Sequence, residues 1–305
     1  MVVMSRELYP FQGKYWEPHK GIRQHYLDEG QGDPMVMVHG NPTWSFYYRN
    51  LVSQFSDRYR VIVPDHVGCG FSDKPGDDRY EYSLRQRVED LENLLNHLSI
   101  KERVTLFVHD WGGMIGMAWA VRNPEKVKRL VILNTGAFPL PASKPLPMSL
   151  KLCRNTGLGP FMVKRLNAFS RAAVKWCATR RPLSPEVAEG YLAPYDTPDN
   201  RIAVLRFVQD IPLKPGDRGY DIVVKTRDGL EAFRKIPVII CWGAKDFVFD
   251  DHFLEEWKRQ LPDAELHYFE DAGHYVLEDA GEEIGELVES FLKQHPLAAP
   301  TPVQG

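Results

Sequence analysis

Six short apolar runs, each closing on Gly, Asp or Asn, punctuate the chain: PMVMVHG (34–40), RVIVPD (60–65), RVTLFVHD (103–110), RLVILN (129–134), PVIICWG (237–243) and AELHYFED (264–271). Near-continuous apolarity of this kind belongs to strands covered on both faces, the condition of a parallel sheet flanked by helices. Segments of helical period lie between them. The clearest is SLRQRVEDLENLLNHL (83–98), where Leu84, Val88, Leu91, Leu95 and Leu98 share one face and Ser83 stands as N-cap. This alternation predicts an α/β fold with a doubly wound, mostly parallel sheet, and it places ligands beyond the carboxyl ends of the strands.

The rhythm stops after Asn134. From 137 to 213 no strand pattern occurs, and helices are expected near 160–177, 185–191 and 198–210, the last with Thr197 as N-cap and Pro198 at its first position. The stretch carries 11 basic and 5 acidic residues, in a chain with 38 basic and 41 acidic. The expected organisation is a first core part (1–136), a helical cap inserted after the sixth strand of the fold (137–213), a second core part (214–295) and a frayed tail (296–305).

Composition removes several classes of function. A near-neutral charge balance and 43% hydrophobic residues exclude a disordered chain and one that coats nucleic acid. Cysteines 69, 153, 177 and 241 are too scattered for a metal motif or a disulfide framework, and read as reduced core thiols. No apolar run approaches membrane-spanning length and the start lacks a signal-peptide pattern, so a cytoplasmic protein is expected.

The chemistry concentrates at FVHDWGGMIGMAWA (107–120), a strand running into a helix with Gly112, Gly113 and Gly116 in the first turns. Glycine costs about 1 kcal/mol relative to alanine inside a helix, so three together require a close-packing reason. A nucleophile elbow supplies one, because small residues let the strand turn sharply and push the intervening side chain into the site. That side chain is Asp110. A carboxylate is ionised at neutral pH and attacks an alkyl carbon without help from a base. The bland alternative is that Asp110 only caps the helix.

His274, in EDAGHYVLED, follows the last strand where a base arrives in this order of elements, and Asp246, in CWGAKDFVF, is placed to orient it. Asp250 and Asp251 lie close enough to compete for that role. HGNPTW (39–44) follows the first strong strand and brings Asn41 beside the elbow; its amide and the indole N–H of Trp111 are donors suited to a departing anion. PDHVGCGFSDKP (64–75) has a G-x-G without the spacing of a dinucleotide site. No metal-ligand or phosphate-loop motif occurs, so no cofactor is expected.

HGNPTW, PDHVGCGFSDKP, VHDWGGMIG, GAKD and AGHYVLED, spread over roughly residues 7–295, together resemble the haloalkane dehalogenase superfamily of α/β hydrolases. Within it, NTGAFPLP (134–141), LNAFS (166–170), APYDTPDNR (193–201) and LRFVQDIPL (205–213) are most similar to the third subfamily, a group that includes β-lactone decarboxylases of bacterial olefin biosynthesis. The resemblance implies Asp110 as nucleophile, His274 as base, Asp246 as acid, Asn41 with Trp111 as anion-binding pair, and a cap over the site. It also implies decarboxylation of a cis-β-lactone to a cis-alkene, with haloalkane hydrolysis as the alternative; behind these stand an epoxide hydrolase using Tyr191 and Tyr195, and a ligand receptor without turnover. Trp111 stands where fluoroacetate dehalogenases carry arginine, which argues against a small anionic acid. Asn134 stands where the second subfamily carries its acid, which favours Asp246. The implied partners are an apolar small molecule and no nucleic acid. The basic cap reads first as a solvated lid, and second as a dock for other enzymes of the olefin pathway.

Overall fold

Parity along the strands decides which side chains go where. In the computed structural model, which describes residues 6–297, Val36, Leu106, Val108, Ile132 and Ile240 point to one face of a sheet, and Met35, Met37, Phe107, Val131 and Ile239 to the other. Both faces need cover, and helices supply it. Leu84–His97 and Trp111–Arg122 lie on the first face through Val88, Leu91, Ile115 and Trp119. Arg49–Phe55 and Gly281–Gln294 close the second through Val52, Phe55, Ile284 and Val288. Ser83 accepts from the Gln86 N–H at 3.2 Å, the cap expected for the first of these helices.

The sheet has eight strands: β1 (Lys14–His19), β2 (Ile22–Glu29), β3 (Pro34–Val38), β4 (Arg60–Pro64), β5 (Val104–Asp110), β6 (Val127–Thr135), β7 (Val238–Gly243) and β8 (Glu265–Phe269). Their order is β1-β2-β4-β3-β5-β6-β7-β8. All six expected runs are strands, and from β4 to β8 every pairing is parallel. β1 and β2 carry no such run. They form an antiparallel hairpin at the sheet edge, and β1 is at best half-buried, so it lacks the continuous apolarity that marks the central strands.

Between β6 and β7 the described residues as far as 213 hold helices only: Met148–Asn155, Ala168–Trp176, Pro185–Leu192 and Ile202–Gln209, with shorter turns between them. Met148–Asn155 and Ile202–Gln209 share an apolar cluster that includes Leu146, Leu150, Val163, Val204 and Val208, with Phe169 packed against it, whereas Pro185–Leu192 packs on the core through Val187 and Tyr191. The helix expected near 160–177 is divided at Asn167, whose φ of 51° breaks the α geometry. Met148–Asn155 is an addition to the expected helices, because Pro145 and Pro147 ahead of it read as loop. Thr197 Oγ1 does accept from the Asn200 N–H at 3.3 Å, but a 3-10 turn, Asp199–Arg201, intervenes before the α-helix. Residues 298–305 of the tail expected to fray lie outside the described residues.

Candidate active site

β5 is buried along its whole length and runs between β3 and β6, so its last residue emerges at the centre of the carboxyl edge. That residue is Asp110, with φ 51° and ψ −126°, a conformation that L-residues adopt only under constraint. The helix begins at the next position. Glycine makes that approach sterically allowed: a Cβ on Gly112 would lie 1.9 Å from the Val38 carbonyl oxygen, and one on Gly113 2.0 Å from Thr135 Oγ1. The Thr135 hydroxyl in turn donates to the Asp110 carbonyl, which fixes the turn from the β6 side.

Asp110 precedes the helix yet makes no side-chain capping bond to it. Its Oδ1 accepts from the Asn41 backbone N–H at 2.5 Å, and the Trp111 backbone N–H, without making a capping bond, also favours the charged carboxylate. The other oxygen, Oδ2, faces His274 Nε2 at 3.7 Å. His274 Nδ1 lies 2.7 Å from Asp246 Oδ2, and Asp246 Oδ1 accepts from the N–H groups of Val248 and Phe249 at 2.7 and 3.0 Å. With an ionised carboxylate on Nδ1, that nitrogen carries the proton, and Nε2 is left as the basic atom toward Asp110.

The competing acids are occupied elsewhere. Asp250 accepts from the His252 N–H at the start of helix Asp251–Gln260 and pairs with Lys144 Nζ at 2.5 Å, while Asp251 accepts from the Tyr268 hydroxyl. Asn134 bridges β6 to β7, exchanging hydrogen bonds with both backbone groups of Gly243.

Burial pushes the Asp110 carboxyl up to about 6, against the opposing pull of His274 and the two backbone donors. At that value the group is still mostly ionised at neutral pH, as the sequence reading expects. For His274 burial is the largest single influence and pulls downward, but Asp246 and Asp110 together outweigh it and the imidazole is raised.

A cavity of about 530 Å³ opens over these groups, lined by Asn41, Asp110, Trp111 and His274 at its base. Its walls are mainly apolar, with Phe138, Leu150, Phe169, Ile211, Val248 and Phe253 among them. Asn41 Nδ2 donates to the Val204 carbonyl on the helical insertion at 3.2 Å, so a core loop and the insertion hold the same amide. Tyr191 and Tyr195 do not line the cavity. The Tyr191 hydroxyl donates to Glu278, itself paired with Arg49, and the Tyr195 hydroxyl to the Thr43 carbonyl.

Two further residues belong to the site although the sequence reading does not single them out. His109 Nε2 lies 2.8 Å from the His274 carbonyl oxygen, and its ring stacks on Tyr47 with centroids 4.3 Å apart. It thus ties the end of β5 to the loop that carries the imidazole. Lys144 reaches the cavity wall while paired with Asp250. Neither has a spacing signal in the sequence; only the tertiary contact reveals them.

A mostly parallel sheet whose central strand ends in a strained residue at a helix start, with a histidine–carboxylate pair delivered by the last two strands, defines an α/β hydrolase. The chain belongs to that family: the family model described as alpha/beta hydrolase fold matches residues 33–281. Within it, the chain groups with two sets of curated relatives. It is 55% identical to a cis-3-alkyl-4-alkyloxetan-2-one decarboxylase of Shewanella oneidensis, over 95% of this chain and 91% of the relative. Identity is 47% with a protein of the same name from Xanthomonas campestris, over 95% and 98%. A haloalkane dehalogenase of Mycolicibacterium paratuberculosis is more distant, at 32% over 93% and 94%. Among solved structures, the haloalkane dehalogenase DatA of Agrobacterium tumefaciens superposes with a TM-score of 0.81 at 26% identity, covering 92% of this chain and 97% of the other.

Proposed function

We propose that this chain decarboxylates cis-3-alkyl-4-alkyloxetan-2-ones, giving a cis-alkene and CO₂, with Asp110 as nucleophile, His274 and Asp246 as its histidine–acid pair, and Asn41 with Trp111 as anion donors. One observation carries the reading. Identity to the two curated decarboxylases is 55% and 47% over nearly full length, well above the 32% to the dehalogenase. The apolar cavity fits a substrate bearing two alkyl chains. Residues 137–213 are read as the cap that closes it.

Chemically, Asp110 Oδ2 bonds to the alkyl-bearing ring carbon as that carbon's bond to oxygen breaks, with inversion. The freed carboxylate is steadied by the Asn41 and Trp111 donors. The electron pair of the carbon–carboxylate bond then becomes the alkene π bond as Asp110 departs with its own pair. No proton moves and no water is consumed, and inversion followed by anti elimination keeps the cis geometry. Attack at the lactone carbonyl is the competing route.

The dehalogenase reading stands second, supported by the likeness to DatA. In that chemistry His274 draws a proton from the water that hydrolyses the alkyl ester on Asp110. The deciding experiment supplies a long-chain cis-β-lactone and a short bromoalkane in separate reactions, measuring alkene by gas chromatography and free halide. Alkene far outpacing halide is expected. Halide alone would transfer the assignment to the dehalogenase, and a wholly trans alkene would eliminate the inversion route.

A further inference from the structure

From Lys144 to Arg181 the chain carries nine basic residues and no acidic one. Five of these cations, Lys151, Arg165, Arg171, Lys175 and Arg181, are exposed and have no ion-pair partner among the described residues. The same stretch exposes Met148, Leu152, Leu158, Phe161, Leu166 and Trp176, with Met148 77% and Trp176 59% accessible. Water-soluble surfaces seldom gather so many large apolar groups in one segment without a use for them.

The cavity opens on this face. Trp176 and Phe247 both line it and are both exposed, at 59% and 48%. The Lys175 ammonium stands 5.1 Å from the Trp176 ring centroid, so an aromatic and a cation share the rim. Apolar side chains interleaved with unpaired Lys and Arg form an interfacial surface: the apolar groups enter the acyl boundary while the cations meet anionic headgroups. An acidic protein would satisfy the cations but would also need a matching apolar relief. A bilayer satisfies both and needs no shape complementarity. No helix among the described residues is long and apolar enough to cross a membrane, so the contact is peripheral.

We infer that the face formed by residues 144–181 docks on an anionic lipid bilayer with the cavity mouth turned toward the lipid. If the proposed reaction holds, an apolar substrate enters and an alkene leaves without crossing water; the docking itself does not depend on that reaction.

The test sediments the full chain with vesicles of phosphatidylcholine alone or with about one third phosphatidylglycerol. Binding to the anionic vesicles is expected, at least about tenfold above the neutral ones, with release at about 0.5 M salt, where charge attraction is screened within a few ångström. Lys151→Glu with Arg165→Glu, and separately Leu158→Ser with Phe161→Ser, should each lower the partition at least about tenfold while circular dichroism and melting temperature stay those of the wild type. These side chains lie outside the cavity lining, and the readout involves no turnover, so failure of the lactone assay leaves the result intact. Equal partition into both vesicles, or variants that bind like the wild type, would overturn the proposal. So would a stable dimer that Phe161→Ser dissolves, since a second copy would then cover the face, and so would salt-sensitive binding to a purified acidic protein with none to lipid.

Discussion

His274 Nε2 stands 3.7 Å from Asp110 Oδ2, beyond direct hydrogen-bond reach, so the carboxylate oxygen is held beside the imidazole without being tied to it. In the proposed reaction that oxygen is the one free to attack, because its twin accepts from the Asn41 backbone N–H. The pH dependence is set by which of the two groups must lose a proton. Burial raises Asp110 to about 6, so alkene formation, which needs only the ionised carboxylate, should fall as pH drops through about that value. Hydrolysis of a haloalkane needs neutral His274 as well, and its raised proton affinity should set the acid limb of steady halide release at higher pH. Rate profiles on the two substrates check this; a lactone profile flat down to about pH 4 would contradict it.

The same burial stores a cost that removal of the charge should release. The folded chain holds the Asp110 proton more tightly than the unfolded one, so the contribution of this one group to wild-type stability rises as pH falls from about 6 toward the ordinary carboxylate value of 3.8. Asp110→Asn has no such dependence. At about pH 8 the inactive variant should be the more stable by on the order of 2–3 kcal/mol, an advantage that shrinks below about pH 4. Urea midpoints at the two pH values measure it, and an Asn variant weaker than wild type at the higher pH would refute it.

Loss of the imidazole should separate the two chemistries. In His274→Phe, a bromoalkane is expected to release about one equivalent of halide and stop, leaving the alkyl group as added mass on the peptide that carries Asp110. The lactone route moves no proton, so the same variant should retain measurable alkene formation. Intact-protein and peptide mass spectrometry read the first outcome; an unmodified elbow peptide after a halide burst would sink it.

Much of the fold and the site is legible from residue order because the physics is local. Buried strands announce themselves by continuous apolarity, and Gly112, Gly113 and Gly116 oppose helix propensity so plainly that they imply the sharp turn at Asp110. The β1–β2 hairpin leaves no such trace: β1 is an exposed edge strand that needs no apolar run, and β2 buries Gln24 and His25 on hydrogen bonds to Asp65, which interrupts its apolar pattern. His109 and Lys144 are illegible for another reason. Their partners, the His274 carbonyl and Asp250, lie 165 and 106 residues away, and nothing in the intervening spacing specifies either contact.

The ambiguity between Asp246 and Asp250 has a physical resolution that can be tested. Asp246 holds Nδ1 of His274 and is itself held by two backbone donors, whereas Asp250 starts a helix and pairs with Lys144. Asp246→Asn should therefore cut steady haloalkane turnover by about a hundredfold or more, because the amide favours the wrong imidazole tautomer. Asp250→Asn should change it by no more than about threefold and instead lower stability by about 1 kcal/mol through the weakened cap and ion pair. Kinetics and thermal melts of the two variants side by side would expose a reversed assignment.

Glycines give the sharpest contrast between required and incidental backbone freedom. An added Cβ at Gly112 would stand 1.9 Å from the Val38 carbonyl oxygen, a backbone atom of the neighbouring strand that cannot swing away as a flexible side chain could. Gly112→Ala must therefore push β3 from the elbow helix or distort the turn, at a cost of about 3 kcal/mol. Asn41 lies just beyond β3 and donates its N–H to Asp110, so the displacement should also cost activity. Gly281, the first residue of helix Gly281–Gln294, meets nothing within 4 Å of the equivalent position. Gly281→Ala should leave activity alone and stabilise by about 0.5 kcal/mol, because alanine loses less chain entropy on entering a helix. Urea denaturation of both variants checks the pair, and a Gly112→Ala protein that is as stable and as active as wild type would mean that the elbow does not pack as tightly as described.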